Sequence, residues 1–136
     1  MIYTVTLNPA IDKTIVIDEY RRSKGNRSLV SRKDVGGKGI NVSKVLKVLG
    51  VDSVCTGILG DENSSFFLDY LEGLNIETDF YIIPGENRTN IKIVEKRYRT
   101  ITDINDKGFI MEKKEIKDFL NYFLALVEED DLVVLS

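Results

Sequence analysis

The chain has 136 residues, of which 43% are hydrophobic and 30% are charged, and this ordinary globular balance excludes a disordered chain or a collagen-like fold. The formal net charge of −3 argues against duplex nucleic acid as a partner, because proteins that grip it are usually basic. No apolar run of about 18 residues occurs, so the sequence predicts no membrane-spanning helix. The N-terminus also lacks the pattern of a secretory signal.

The sequence contains no histidine and a single cysteine, Cys55. The lack of histidine excludes Ser-His-Asp and Cys-His catalysis and leaves no His/Cys metal site. The apolar flanks of Cys55 favour a buried thiol, and a lone cysteine fits a reducing compartment such as the cytoplasm. Any chemistry must therefore use carboxylates, lysine, arginine, hydroxyl groups and backbone amides.

In the first half of the chain, three β-rich segments are followed by a segment whose apolar residues have helical spacing. Strands are predicted at 2–7, 14–18 and 28–35. A helix follows, with Gly50 just past its end. Its apolar stripe is predicted to comprise Val42, Val45, Leu46 and Leu49, and its solvated face Ser43, Lys44 and Lys47. A buried strand is then predicted at 53–59, followed by a helix that Asp61 caps and Gly73 ends.

The second half contains three further strands and a long helix. A strand is predicted at 79–83, and 89–96 with 99–105 are predicted to form a hairpin, since apolar and polar residues alternate in its first arm. The last strand, 131–136, is a continuous apolar run of the kind found in buried parallel strands. The amphipathic helix before it has an apolar face of Ile116, Phe119, Leu120, Phe123, Leu124 and Val127.

This order of strands and helices predicts an α/β fold with a parallel sheet. Two half-polar pairs, 14–18 with 28–35 and 89–96 with 99–105, do not fit such a sheet, and we expect them to form a separate antiparallel flap. A buried parallel strand normally leads into a crossover helix. Because the sequence stops at its last strand, we expect it to be the front part of a larger protein.

The stretch DVGGKGIN, residues 34–41, places three glycines and a lysine where a helix begins. It fits neither a Walker A loop nor a dinucleotide-binding fingerprint, since the required glycines are absent. A tight strand-to-helix turn is one interpretation. In the other, bare backbone amides and the charge of Lys38 attract an anion, with Asn41 one helical turn along. Such a corner could hold a phosphorylated polyol.

Four segments in this order, TVTLNPAID, GGKGINVSKVLKVLG, GILGDEN and ENRTNIKI, resemble the PfkB type of ribokinase-like sugar kinases. The resemblance covers nearly the whole chain and is closest to bacterial 1-phosphofructokinases and their tagatose-6-phosphate kinase relatives. It implies a three-layer α/β/α sandwich with a mostly parallel sheet and a small β-sheet lid. Residues 1–136 would form the N-terminal part of one such domain, with lid segments at approximately 12–35 and 87–105.

The resemblance also implies roles for individual residues. Asp12 would accept hydrogen bonds from sugar hydroxyls, and Arg88 would hold the substrate phosphate. Arg27 would be a lid residue that reaches the same site, with a solvated surface arginine as the alternative. Ser136 would begin a Ser-Gly-Ser loop that contacts phosphate, and Asn90 is a further lid candidate that shares a face with Lys92. The sugar site itself would be lined by Gly36, Gly37, Lys38 and Asn41.

For the activity, the resemblance implies transfer of a phosphoryl group from ATP, with Mg²⁺, to a phosphorylated ketohexose. The stretch 100–109 is similar to the TDxNxxGF segment of 1-phosphofructokinases and favours fructose 1-phosphate, with tagatose 6-phosphate as the alternative. The Gly-Ala-Gly-Asp segment that supplies the family's catalytic base is not in these residues, so we expect the chain alone to be inactive. A non-enzymatic sugar-phosphate-binding fragment is the rival hypothesis, and the lid is a candidate homodimer interface.

Overall fold

A computed structural model describes residues 1–136 as two sheets and three α-helices. A short 3₁₀ turn, Asp61–Asn63, precedes the second helix. In chain order the elements are β1 (Ile2–Thr6), β2 (Ala10–Ile17), β3 (Val30–Gly36), α1 (Lys38–Val48), β4 (Val54–Gly60), α2 (Ser64–Gly73), β5 (Glu77–Ile83), β6 (Arg88–Glu95), β7 (Thr100–Ile104), α3 (Lys113–Leu126) and β8 (Leu132–Leu135).

The central sheet is parallel, with the strand order β5-β4-β1-β8. Because side chains alternate along a strand, each strand supplies two faces. Tyr3 and Val5 pack against Phe123 of α3 on one face, and the Tyr3 and Phe123 rings meet edge to face at 6.3 Å. On the other face, Cys55 and Leu59 pack with residues of α1 and α2. The predicted three-layer α/β/α sandwich is therefore confirmed.

Both helices on the second face end in a left-handed turn. At the end of α1, the predicted Gly50 has a φ of +75°, and its N–H donates to the Lys47 carbonyl over 3.1 Å. At the end of α2, Asn75 takes this conformation with a φ of +53°. Gly73 is therefore only the last helical residue, and an asparagine, which tolerates the left-handed region, provides the turn.

The prediction of which α1 face is buried is wrong. Ser43 is fully buried, whereas Val45 and Leu49 are 58% and 69% exposed. Ser43 tolerates burial because its hydroxyl group is hydrogen-bonded to both Thr4, over 2.6 Å, and Ser53, over 3.0 Å. This hydroxyl chain joins α1 to the central sheet through small residues, beside the buried Ile40, while Val45 and Leu49 are left exposed.

The last helix and strand are also more exposed than their apolar patterns predict. In α3 only Phe119 and Phe123 are buried, and Leu124 is 68% exposed. β8 pairs with β1 as a parallel strand, but it forms the edge of the sheet and leaves Leu135 exposed. None of the helices combines the length and apolarity needed to span a bilayer.

The second sheet, which we call the lid, has the order β3-β2-β6-β7. The two half-polar pairs are antiparallel as predicted, but they are not a purely antiparallel flap, because β2 and β6 join them in parallel. The parallel register places Asp12 directly beside Asn90, residues that lie far apart in the sequence. The lid is thus one mixed sheet, assembled from two distant segments.

Strand alternation gives the lid two different faces. Ile11 and Val35 form a cross-strand pair and point into the core with Phe67 of α2. Because side chains alternate, the next pair, Asp12 and Asp34, faces the opposite side. That opposite face carries three successive cross-strand rows. The first contains Asp34, Asp12 and Asn90, the second Arg32, Thr14, Lys92 and Asp103, and the third Val30, Val16, Val94 and Ile101.

Candidate functional site

The site is organised around the turn between β3 and α1, where glycine is required by close neighbours. A Cβ at Gly36 would overlap the carboxylate of Asp12. Gly37 has a φ of +133°, which side chains rarely adopt, and a Cβ there would lie 2.6 Å from the Thr6 methyl carbon. The glycines therefore let β2, β1 and the start of α1 meet at one point.

The N-terminus of α1 opens onto this point. Gly37 is the N-cap and provides no side chain to cap the helix, and the first turn contains no acidic residue. The Ile40 N–H donates over 3.0 Å to the hydroxyl group of Thr6, which lies on β1 and outside the glycine-rich stretch 34–41. The positive end of the helix dipole is thus available to an anion.

A first cavity, the polar cleft, lies between the lid and α1 and has a volume of about 380 Å³. It brings together Asp12, Asn41 and Asn90 from the predicted set, and Asn90 Nδ2 donates to Asp12 Oδ1 over 3.0 Å. Most of its lining can donate or accept hydrogen bonds, as a polyhydroxylated ligand requires. The lining residues are Asp12, Thr14, Arg32, Asp34, Val35, Asn41, Lys44, Asn90, Ile91, Lys92, Asp103 and Asn105.

A second cavity, the basic pocket, has a volume of about 170 Å³ and lies at the N-terminus of α1. Its lining includes two cations and no carboxylate, which favours an anionic ligand group. Four predicted residues meet here, Gly37, Lys38, Arg88 and Ser136, together with Thr6 and Asn8.

The guanidinium group of Arg88 is held in place by backbone carbonyls. Its Nη1 donates to the Asp106 carbonyl and its Nη2 to the Asn8 carbonyl, each over 3.2 Å. Its Nε is buried and has no hydrogen-bond partner within the protein. The charge is therefore oriented by neutral groups and is not neutralised by a carboxylate, so it remains available to an anion.

The segment after β7 lines the polar cleft through Asn105 and contacts two residues of the basic pocket, Arg88 and Asn8. The Asp106 N–H donates to Asn90 Oδ1 over 3.3 Å, and Asn8 Nδ2 donates to the Lys107 carbonyl over 3.2 Å. Gly108, with a φ of +85°, leaves room for the Asn8 side chain. Asp103 and Asn105 therefore form part of the wall of the polar cleft, and the carbonyls of Asp106 and Lys107 hold residues of the basic pocket.

The root of β6 is anchored by a buried amide that sequence reasoning missed. Asn87, 1% exposed, accepts from the Gly60 N–H and donates to the Gly60 carbonyl, each over 2.9 Å. It also pairs with Asn63, whose Oδ1 accepts from the Asn87 backbone N–H over 2.9 Å. Because Arg88 follows Asn87 directly in sequence, this anchor fixes where β6 begins, next to the end of β4.

Arg27 does not join the other predicted residues within this chain. It lies in the loop between β2 and β3, at the far end of the lid, and lines a separate surface groove with Asp18 and Glu19. Within the chain it is an exposed arginine, which matches the alternative interpretation.

Lys44 was predicted to face solvent, and the structure contradicts this. Its side chain lies in the polar cleft, with Nζ donating to the Val35 carbonyl and lying 4.8 Å from the centre of the Tyr70 ring. Burial lowers the pKa of Lys44, an effect that the carboxylates of Asp34 and Asp12 oppose. The spacing from Asn41 was the available signal, since residues three apart share a helix face.

Cys55 is buried in the central sheet, as predicted. Burial raises the pKa of its thiol to about 11, so the thiol is protonated at neutral pH and is not a nucleophile.

Comparison with known proteins identifies a family. The pattern that defines the pfkB family carbohydrate kinases matches residues 5–136. Over its whole length the chain is 35% identical to the tagatose-6-phosphate kinase of Staphylococcus epidermidis and 38% identical to the 1-phosphofructokinase of Bacillus subtilis. It covers 43% and 44% of these relatives, so the chain spans less than half their length.

Solved structures give the same result for the fold. A Staphylococcus aureus protein, described provisionally as a phosphofructokinase, is 33% identical and superposes with a TM-score of 0.89 over 100% of this chain and 43% of its own. Phosphofructokinase-2 from Escherichia coli, in complex with substrates and products, is 20% identical and has a TM-score of 0.90 over 99% of this chain and 44% of its own. The chain belongs to the pfkB family of carbohydrate kinases and corresponds to the N-terminal part of its ribokinase-like fold.

Proposed function

We propose that the complete protein is a cytoplasmic kinase that transfers a phosphoryl group from ATP to a phosphorylated ketohexose. The observation that supports this is the adjacency of a basic pocket and a polar cleft. Arg88 and Asn90, two residues apart on β6, each line one of them, and so do Lys38 and Asn41 in the first turn of α1. A ligand with an anionic end and a hydroxylated body would occupy both.

In this proposal each residue type has a separate task. Arg88, Lys38 and the α1 N-terminus bind the phosphate already on the sugar, and Ser136 contributes a hydroxyl group to the same pocket. Asp12 accepts hydrogen bonds from sugar hydroxyls, while Asn41 and Asn90 can both donate and accept. Gly37 lines the basic pocket, and Gly36 leaves room for the carboxylate of Asp12. These residues position the acceptor hydroxyl, and positioning dominates the catalysis of phosphoryl transfer.

Fructose 1-phosphate is the substrate that we propose, to be converted to fructose 1,6-bisphosphate. The support comes from the stretch 100–109, whose pattern resembles 1-phosphofructokinases and of which Asp103 and Asn105 line the polar cleft. Tagatose 6-phosphate is the second candidate, favoured by the similarity to a kinase of that name.

Side-by-side assays of the complete protein would distinguish these substrates. We expect ATP-dependent turnover with fructose 1-phosphate at a higher kcat/KM than with tagatose 6-phosphate or fructose 6-phosphate. A higher kcat/KM for tagatose 6-phosphate would replace the first candidate by the second, and absence of turnover with all three would contradict the proposed function.

ATP, with Mg²⁺, is the expected donor, and it supplies the transferred phosphoryl group. The described residues contain no cluster of three or more Asp, Glu or Cys side chains able to hold a metal ion. Mg²⁺ in such enzymes is held largely by the nucleotide phosphates and water, so we expect it to arrive with ATP. We accordingly assign these residues to sugar binding alone, and none of their roles depends on the metal.

We also propose that the complete protein forms a homodimer through the lid. The third row of the lid is apolar, and its members Val30 and Ile101 are 53% and 62% exposed. A two-fold arrangement would cover this row with the same row of a second copy. Sedimentation at micromolar concentration is expected to show a dimer, and Ile101→Lys is expected to dissociate it. A monomer before the substitution would exclude this interface.

A further inference from the structure

Lys44 has hydrogen-bonding capacity in the polar cleft that the protein itself does not use. A lysine ammonium has three N–H donors. One donates to the Val35 carbonyl, and a second is accounted for by the Tyr70 ring, on whose face the ammonium lies. No carboxylate forms an ion pair with Lys44. One donor is therefore available to a molecule in the cleft.

The position of this ammonium is set by the fold. Lys44 follows Asn41 by three residues, so both side chains lie on the same face of α1, and both line the polar cleft. The contacts with Val35 and Tyr70 come from β3 and α2, so two further elements hold the side chain. A donor ordered in this way loses little additional conformational freedom when it binds a ligand.

The charges around Lys44 indicate which ligand group it would bind. The carboxylates of Asp12 and Asp34 line the same cleft and interact electrostatically with Lys44. An anionic group placed here would be repelled by both, and the basic pocket already offers such a group a site without carboxylates. A hydroxyl group suits the cleft better, because its oxygen can accept from an ammonium while its hydrogen is donated to a carboxylate.

We infer that Lys44 is a specificity residue that donates a hydrogen bond to one hydroxyl oxygen of the sugar in the polar cleft. The inference rests on the proposed function, since it assumes that a sugar phosphate occupies the two cavities. Asp12 or Asp34 would accept a hydrogen bond from the same polyol, and together they would distinguish sugars by the arrangement of neighbouring hydroxyls.

Calorimetric titration of the complete protein with fructose 1-phosphate, and with analogues that each lack one hydroxyl, would test the contact. Lys44→Met is expected to weaken binding of the parent sugar roughly 10- to 100-fold. For the one analogue that lacks the contacted hydroxyl, the difference between Lys44→Met and the unmodified protein should shrink to about two-fold. Lys47→Met is the matched control, because Lys47 lies on the same helix and pairs only with Asp52 at the surface.

Each result would decide the question. An equal loss for all analogues would show that Lys44 acts only through the fold, and an unchanged affinity would show that it makes no contact; either would overturn the inference while leaving the proposed function in place. If the unmodified protein bound neither fructose 1-phosphate nor tagatose 6-phosphate, the proposed function itself would fail. Should Lys44→Met not fold, Lys44→Gln, which keeps a donor without the charge, is expected to show a smaller loss that again disappears for a single analogue.

Discussion

The central sheet and the lid use their side chains in opposite ways. In the middle strands of the central sheet, β1 and β4, both faces are buried, with Leu59 and Cys55 against α1 and α2 and Val5 against α3. In the lid one face is anchored in the core, and the other presents polar rows to the cleft. The difference indicates that the first sheet maintains the fold, while the second, with the start of α1, supplies the groups that we propose contact a ligand.

The largest effect that we expect concerns whether these two regions suffice for catalysis. We predict that the 136-residue chain alone does not phosphorylate fructose 1-phosphate, because the family's catalytic base and donor site are expected outside it. Loss of a general base alone typically lowers rates about 10²- to 10⁴-fold. A coupled assay for ADP release would measure this, and sugar-dependent turnover by the isolated chain would contradict it.

A substitution in the central sheet should affect stability and not affinity. Leu59 is fully buried in the cluster between the sheet and α2. Leu59→Ala is expected to lower the free energy of unfolding of the complete protein by about 2–5 kcal/mol, through lost burial and a new cavity. The sugar-phosphate affinity of the folded protein should not change. Leu29→Ala, at an exposed lid position, is the control. A similar decrease in the free energy of unfolding for Leu29→Ala would contradict the distinction between the two sheets.

A substitution in the lid should have the reverse effect. Arg88→Met is expected to weaken sugar-phosphate binding by about 1.5–3 kcal/mol, since it removes a charged hydrogen-bonding partner of the phosphate. Its effect on the free energy of unfolding should stay near 1 kcal/mol, because it loses two hydrogen bonds to exposed carbonyls. Titration calorimetry and denaturant unfolding would measure the two quantities. Arg97→Met, which breaks an ion pair with Glu19 elsewhere on the lid, should leave both nearly unchanged.

The last effect is absent at neutral pH, is visible only in alkaline solution and concerns the central sheet. The pKa of Cys55 is raised from 9.0 to about 11, so the folded state holds this proton more tightly than the unfolded state. Its contribution to stability is therefore fully present below pH 9.0 and declines as the pH rises towards 11. Unfolding measured across this window should show a shallower decline for Cys55→Ala, and parallel curves for the two proteins would rule out the effect.

The order of strands and helices could be predicted because it depends on local patterns. Gly50 marked the end of α1, and the half-polar runs marked the lid strands. The parallel pairing of β2 with β6 could not be predicted, since it joins segments about 78 residues apart and no local signal states which strands meet. The register of Asp12 with Asn90 follows from that pairing.

Most of the predicted site residues line the two cavities, whereas the packing of the surfaces around them was predicted less well. Lys38, Arg88 and Asn90, which belong to the segments that carry the family resemblance, line the two cavities. Residues of such segments commonly act together at one site. Lys44 was missed, because lysine on a helix is usually solvated and its partners Val35 and Tyr70 come from other elements. The buried face of α1 was missed for a similar reason, since Ser43 is satisfied only by hydroxyl groups on the neighbouring strand and loop.

The parallel register of the lid determines where the sequence can accept inserted residues. Side chains alternate between faces, so one residue inserted between Pro9 and Asp12 would turn Asp12 towards the core and bring Ile11 to the cleft. The same insertion in the loop 18–29, at the far end, would leave every pair in place. Genetic insertions should therefore be tolerated at the tip of the lid and excluded at its roots, even where no ligand-binding residue is altered.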